Sequence, residues 1–303
     1  MTPPSRSPLV SIALPVYNGA DTVAPVVEAV LAQTHSNLEL VISDNASTDG
    51  TQEICRQFAR DDRRVVYLRQ ATNVGLLNNF ISAAENTAGT YVRWIGDDDS
   101  LEPDYLARVL DVFEEDRRRV MVTTQVVYRD AEGVETLDTG HDPATLSSPD
   151  PVERFAGMLR LLTTDFATLD PLYGVMRREL ATIPRRNMLR EDQVFAARLA
   201  LAGPWGHVAA PLAGRRREEG TASGLAALLD VPRWRRHVRV MLQCRELSHW
   251  VALSSLDPAQ RRRAQAEIVR FYARGKRIKA RRGVAKLERV AGRQVRLSPS
   301  EAR

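Results

Sequence analysis

Apolar positions along this chain follow two alternating periods. Leu9–Leu14, Leu38–Ser43, Val65–Leu68 and Tyr91–Ile95 are short runs rich in β-branched and aromatic residues, and each predicts a strand. After the first run, Val23, Val26, Val27 and Val30 recur at helical spacing, and after the fourth Leu106, Val109, Leu110 and Phe113 do the same. Strands alternating with helices of this length build βαβ units, and near-continuous apolar strands belong to a parallel sheet covered on both faces. Such crossovers are right-handed, so the expected fold is α/β: a doubly wound, mostly parallel sheet with helices on both faces. Further strands are predicted at Val120–Val127, Leu172–Met176 and His207–Leu212, with a helix at Gln193–Leu201. From Pro232 onward the pattern is helical with a break at Pro258, and the Gly, Thr and Ser cluster of Gly220–Gly224 marks a boundary. The expected organisation is therefore a sheet domain over residues 1–222 and a helical extension over residues 223–303.

Ligands of an open parallel sheet bind beyond the carboxyl ends of its strands, and this chain sets unusual polar residues there four times. The first strand ends in Pro15-Val16-Tyr17-Asn18 and the second runs into Asp44-Asn45-Ala46-Ser47-Thr48-Asp49-Gly50-Thr51. The third is followed by Arg69 and Asn73-Val74-Gly75, the fourth by Gly96-Asp97-Asp98-Asp99. Any one of these reads equally well as turn or cap chemistry; four on one edge do not. Three consecutive aspartates repel one another unless a cation sits among them. Mg²⁺ and Mn²⁺ suit such a place, taking one or two carboxylates together with substrate phosphates and water. The plainer reading, with Asp99 or Ser100 capping the next helix ahead of Pro103, leaves Asp97 and Asp98 for other duties. No GxGxxG follows the first strand and no GxxxxGK[ST] occurs, so the dinucleotide and P-loop routes to phosphate are unsupported.

Charge divides the chain. Of its 303 residues, those from Leu256 to Arg303 carry 15 Arg or Lys against 4 Asp or Glu, whereas the first 255 carry 28 against 34. The acidic body excludes general polyanion binding there, which makes nucleic acid an unexpected partner. In the tail, Ile268, Phe271, Tyr272 and Ile278 are interleaved with basic residues, which fits a helix lying on an anionic membrane or one packed on its own acidic body. No apolar run reaches membrane-spanning length, the first residues lack a secretory pattern, and Cys55 and Cys244 are too few for a disulfide scaffold. A reduced cytoplasmic enzyme is the expectation, with peripheral contact at the inner face of the membrane through the basic tail. The five histidines show no metal-ligand spacing, and Tyr173 and Trp205 are candidates to stack on a sugar, although packing is the commoner explanation for both.

With these residues assembled, the chain resembles the family 2 glycosyltransferases, nucleotide-sugar-dependent enzymes of the GT-A fold. The resemblance rests on PVYN (Pro15–Asn18), SDNASTDGT (Ser43–Thr51), NVGLLNNF (Asn73–Phe80) and YVRWIGDDDSLEPDYL (Tyr91–Leu106), in that order, across about the first 115 residues. It continues more loosely through Glu191-Asp192 to Arg215–Arg217. It implies a nucleotide-binding half over residues 1–115 and an acceptor-side half over residues 116–222. Pro15, Val16, Tyr17 and Asn18 are then expected to hold base and ribose, Asp44 to bond base or ribose, and Asn73 and Gly75 to join the nucleotide-sugar contacts. By the same resemblance Asp97 and Asp98 face ribose or phosphate, Asp99 binds Mg²⁺ or Mn²⁺, Glu191 belongs to the donor site and Asp192 is the catalytic base. Arg216, with Arg215, would meet the leaving diphosphate. Two departures stand out: Gly96 where many members carry a further Asp, and Glu218 where many carry a metal-binding His, so that Glu218, which can bind a hard cation through oxygen, is the second expected metal ligand. The implied activity is inverting, metal-dependent transfer of a sugar from a nucleotide-diphosphate donor (UDP, dTDP or GDP) to an acceptor hydroxyl, lipid-linked acceptors included, in bacterial polysaccharide, glycolipid or glycoconjugate biosynthesis. The alternatives are a nucleotide-sugar-binding protein without transfer activity and a natural-product glycosyltransferase.

Overall fold

A computed structural model of the chain describes residues 7–164, 173–216 and 229–296. Four parallel strands form one half of a nine-stranded sheet: β3 (Val65–Arg69), β2 (Leu38–Asp44), β1 (Val10–Val16) and β4 (Tyr91–Trp94), in that spatial order. Their register sets Val16 opposite Asp44 and Asp44 opposite Arg69, so β1, β2 and β3 finish together, while β4 ends opposite Ala13, and the loops of all four open along one edge. The other half runs β8 (Val175–Arg177), β6 (Met121–Arg129), β9 (Trp205–Arg216) and β5 (Ser100–Leu101), with β7 (Glu135–Asp138) hairpinned onto β6. β6 and β9 are parallel over a long ladder, while the antiparallel pairings are short.

Alternation along the strands separates two apolar layers. Val10, Ile12, Leu14 and Val16 face the helices α1 (Val23–Leu31), α2 (Thr51–Asp61) and α4 (Tyr105–Glu115), which contribute Val26, Cys55, Leu106 and Val109. Ala13, Val92 and Trp94 face the opposite layer. That layer holds α3 (Leu76–Glu85), α5 (Pro143–Ser147), α6 (Pro151–Thr164), α7 (Arg178–Ala181) and α8 (Glu191–Ala202). Two C-terminal helices, α9 (Arg239–Leu253) and α10 (Pro258–Arg296), add Leu247, Val251, Ala264, Ile268 and Phe271 to the same core. The doubly wound α/β layer is therefore present. The described part of the C-terminal extension shares its core instead of standing apart, which is the packed-helix alternative for the start of the basic tail.

Two expectations change. Ser100 does not begin a helix: it pairs with Gly214 in the antiparallel β5–β9 contact, and α4 starts only at Tyr105. A β-carbon at Gly214 would stand 2.4 Å from Ser100 Oγ, so glycine permits this approach. Trp205 is buried in the sheet and has no face to offer a sugar. The boundary at Gly220–Gly224 and the start of the Leu172–Met176 strand lie outside the described residues.

Candidate functional site

On the nucleotide side the chain straps one strand-end loop to the next. Pro15 and Val16 are buried strand residues, so of the four expected contacts only Tyr17, 48% exposed, and Asn18 offer side-chain surface. Asn18 takes a left-handed φ of 55°, which asparagine tolerates. Its N–H donates to Ser47 Oγ (2.9 Å), and its Oδ1 accepts from the Thr48 N–H (2.8 Å). The Gly19 N–H donates to Thr51 Oγ1 (2.9 Å), and a β-carbon on Gly19 would stand 2.4 Å from Asp97 Oδ2. Across the gap, Asn73 Oδ1 accepts from Asn45 Nδ2 and from the Gly75 N–H, both at 2.9 Å, which braces the exposed Asn73 turn and the φ of 85° at Gly75.

Asp44 is turned inward. Its Oδ1 accepts from the Ser47 N–H (2.8 Å), and its Oδ2 accepts from the Tyr67 hydroxyl and the Arg69 guanidinium, each at 2.6 Å. Burial alone would raise its pKa, but these bonds outweigh burial and hold the carboxyl below its usual range. With no exposed side-chain surface, Asp44 organises the Ser47 turn on which Asn18 rests, whereas the sequence led us to expect contact with base or ribose.

The acid turn follows β4. Asp97 is partly buried and accepts from Thr22 Oγ1 (3.3 Å); Asp98 is exposed; Asp99 is buried. Burial, then the charge of Asp98, pushes the Asp97 carboxyl up. Burial also raises Asp99, against the opposing pull of Arg215, the Gly96 N–H and Arg93. Asp99 Oδ2 accepts from the Gly96 N–H (2.8 Å), and its Oδ1 lies 3.4 Å from Arg215 Nε. A β-carbon at Gly96 would meet Asp99 Oδ2 at 3.1 Å and Asp98 Oδ1 at 3.2 Å, so both carboxylates fold back over the glycine. Gly96 thus makes room for the acid pair. Among the described residues no three His, Cys, Asp or Glu side chains gather into a metal cage. Two carboxylates crowded at one cradle do fit an ion that completes its shell on phosphate.

Basic groups close the turn from behind. Arg93, buried in β4, donates from Nε to the Tyr105 hydroxyl (3.0 Å) and from Nη1 to the Trp94 carbonyl (3.2 Å), with no carboxylate in ion-pair range among the described residues. Arg215 lies 3.5 Å from the ring centroid of Tyr173, and the Tyr173 carbonyl accepts from Tyr105 (3.4 Å). The one available sequence signal for Arg93 was a charged residue inside an apolar strand; the Arg215–Tyr173 stack left none. A cleft of about 720 Å³ opens beside Asp98 and Asp99, between the start of α1, the β6–β7 hairpin and the end of β9, where Arg215 and the exposed Arg216 line it.

On the remaining side, Trp94 meets Phe195 edge to face at 6.1 Å, which seats the first turn of α8 against the end of β4, three residues before Asp97. Asp192 is in that turn and half-buried. The preceding Arg190 has a left-handed φ of 67° and donates to Gln243 Oε1 (3.1 Å). Glu191 points inward, paired with both Nε and Nη2 of Arg185, whose guanidinium lies over Phe195 and Trp94. Glu191 therefore pins the start of α8 and is taken out of the expected donor contacts. Glu218 lies outside the described residues.

Comparison with known proteins shows the family and the fold. The profile described as Glycosyl transferase family 2 matches residues 11–181. Glycosyltransferase GlyA of Streptococcus pneumoniae is 29% identical over 125 residues, covering 41% of this chain and 18% of GlyA. Chondroitin synthase of Escherichia coli is 37% identical over 133 residues, covering 42% of this chain and 18% of the synthase. The chain thus covers less than a fifth of the length of these two curated relatives. In fold it is similar to S. aureus TarS in complex with UDP-GlcNAc, with a TM-score of 0.65 at 16% identity over 88% of this chain and 72% of that one.

Proposed function

Because the chain belongs to glycosyl transferase family 2, we propose that it transfers a sugar from a nucleoside-diphosphate donor to an acceptor hydroxyl with inversion at the anomeric carbon. The observation that carries this reading is the joining of the Tyr17–Asn18 strap to the acid turn at one sheet edge; the Trp94–Phe195 contact, which packs α8 near the end of β4, supports giving Asp192 of that helix the role of base. Tyr17, Asn18 and Asn73 offer surface to the nucleoside, and Asp97 and Asp98 stand where ribose and diphosphate follow. A uridine donor is favoured, because TarS, similar in fold, has been crystallised with UDP and with UDP-GlcNAc.

Asp98 and Asp99 would hold a Mg²⁺ or Mn²⁺ ion, which when bound neutralises charge on the diphosphate. Arg215 and Arg216, at the same cleft, add positive charge for the leaving group, which suits electrostatic stabilisation of the transition state. The acceptor hydroxyl is a poor nucleophile until its proton is removed. Asp192 takes that proton as the acceptor oxygen bonds to the anomeric carbon and the bond to the donor phosphate oxygen breaks. Attack opposite the diphosphate inverts the centre. The acceptor class is a hydroxyl of a bacterial polysaccharide, glycolipid or other glycoconjugate, and the chain works in the cytoplasm or at the inner membrane face, its basic tail supplying peripheral contact.

Asp192→Asn keeps the shape and hydrogen-bonding reach of the side chain and removes the base. Turnover of UDP-sugar, followed by UDP release, is expected to fall about 10²–10⁴-fold with UDP affinity retained. Turnover at the wild-type rate would remove Asp192 from the mechanism.

A further inference from the structure

The described C-terminal residues carry an exposed basic-aromatic face that the proposed transfer does not use. Between Asp230 and Glu246 the chain has five arginines (Arg233, Arg235, Arg236, Arg239 and Arg245) and no acidic residue. Glu246, where acids resume, is paired with Arg186 at 3.2 Å. Within this stretch the 3₁₀ turn Arg233–Arg236 leaves Trp234 59% exposed, and the first turn of α9 leaves Met241 55% exposed. Arg235 stands 5.7 Å from the Trp234 ring centroid. Of the ten large apolar side chains exposed among the described residues, five lie between Trp234 and Tyr272.

This face is tied to the candidate catalytic turn. Val231 packs on Leu189, and Asn187 Nδ2 donates to the Leu229 carbonyl (2.6 Å). Gln243 of α9 donates to Gln193 Oε1 (2.8 Å) and accepts from Arg190, on either side of Asp192. An exposed indole beside Arg235 and an exposed thioether, on a stretch whose only charged residues are arginines, match a bilayer interface, where aromatic rings settle at headgroup level and basic side chains meet anionic lipid. We infer that the 3₁₀ turn and the start of α9, through Trp234, Met241 and Arg235, dock the protein on an anionic membrane surface and so turn the start of α8 toward a membrane-presented acceptor. The docking itself stands on the exposed face; only its orienting of an acceptor rests on the proposed transfer.

The full chain is mixed, without donor, with vesicles of phosphatidylglycerol in phosphatidylcholine or of phosphatidylcholine alone, and the bound fraction is read by flotation and by tryptophan emission. Trp94 and Trp205 are buried and Trp250 is partly covered, so an emission change reports Trp234. The expected result is flotation with anionic vesicles only, with emission moved to the blue. Arg235→Gln lowers partitioning about fivefold, and Trp234→Ala lowers it about tenfold and abolishes the emission change. UDP titration of the same variants shows that they are folded and reports separately on the donor site. No flotation, equal flotation with neutral vesicles, or partitioning unchanged in both variants overturns the inference and leaves the transfer reading intact. Loss of transfer in Trp234→Ala with flotation unchanged also overturns it, by making the indole an acceptor contact.

Discussion

Arg185 and Glu191 are six residues apart and nearly enclosed, and their pairing fixes where α8 begins and so where Asp192 stands. Among the described residues Arg185 Nη1 has no hydrogen-bond partner, so the pair is incompletely satisfied there in a place shielded from water. Removing one partner of such a pair leaves a buried charge. Arg185→Met is therefore expected to lower unfolding free energy by about 3–5 kcal/mol in denaturant titration. Arg185→Met with Glu191→Leu should recover most of that loss, since two apolar side chains replace two desolvated charges. A double variant as unstable as the single one would contradict this account of the pair. Sequence placed the Glu191-Asp192 acids at a helix start, but it gave both of them to the site. Only the three-dimensional partner of each decides that Glu191 faces the core, because Arg185 looks no different in sequence from the chain's many surface arginines.

At the scale of elements, the four leading strands and the helices between them were legible because burial on both faces imposes nearly continuous apolar runs. The strand-end polar residues fell on one edge because a parallel sheet finishes its strands on one side. The two-residue β5 was not legible: Ser100 and Leu101 carry no period, and their strand character comes from Gly214 and Ala213 more than a hundred residues away. The same contact brings Arg215 to Asp99. Where α5 follows Gly140, His141 is buried with its ring 5.4 Å from His207 and 6.0 Å from Trp205, and neither of its ring nitrogens has a hydrogen-bond partner among the described residues. Burial, then the nearby His207, lowers the His141 pKa from 6.5 to about 4, against the weaker pull of Asp142; burial lowers His207 as well. Because the folded values lie below the unfolded ones, the unfolded chain binds more protons as acid is added. The stability these rings permit is complete above the unfolded value and is lost as pH falls from 6.5 toward about 4. For His141 alone that loss is about 3 kcal/mol. Unfolding free energy measured against pH should slope upward through this window, and His141→Phe should flatten the slope; an unchanged slope would contradict the assignment.

Across the whole molecule, the acidic body carries the candidate donor site at one sheet edge, and the basic extension begins in the same core. Among the described residues no helix is long and apolar enough to cross a membrane. The body's acidity would repel a diphosphate, so the central claim is that Asp98 and Asp99 meet the donor through a divalent cation, with Arg215 as the protein's own cation beside them. Asp98 is exposed, so its truncation is expected to leave the fold intact, which makes it the cleanest probe of that claim. The most direct measurement is calorimetric titration of UDP into the full chain and into Asp98→Ala, each with and without Mn²⁺. The account predicts that Mn²⁺ tightens UDP binding to the wild-type chain and that the Asp98→Ala chain loses this gain while staying folded. UDP affinity indifferent to Mn²⁺ in the wild-type chain, or a gain undiminished in the variant, would contradict it.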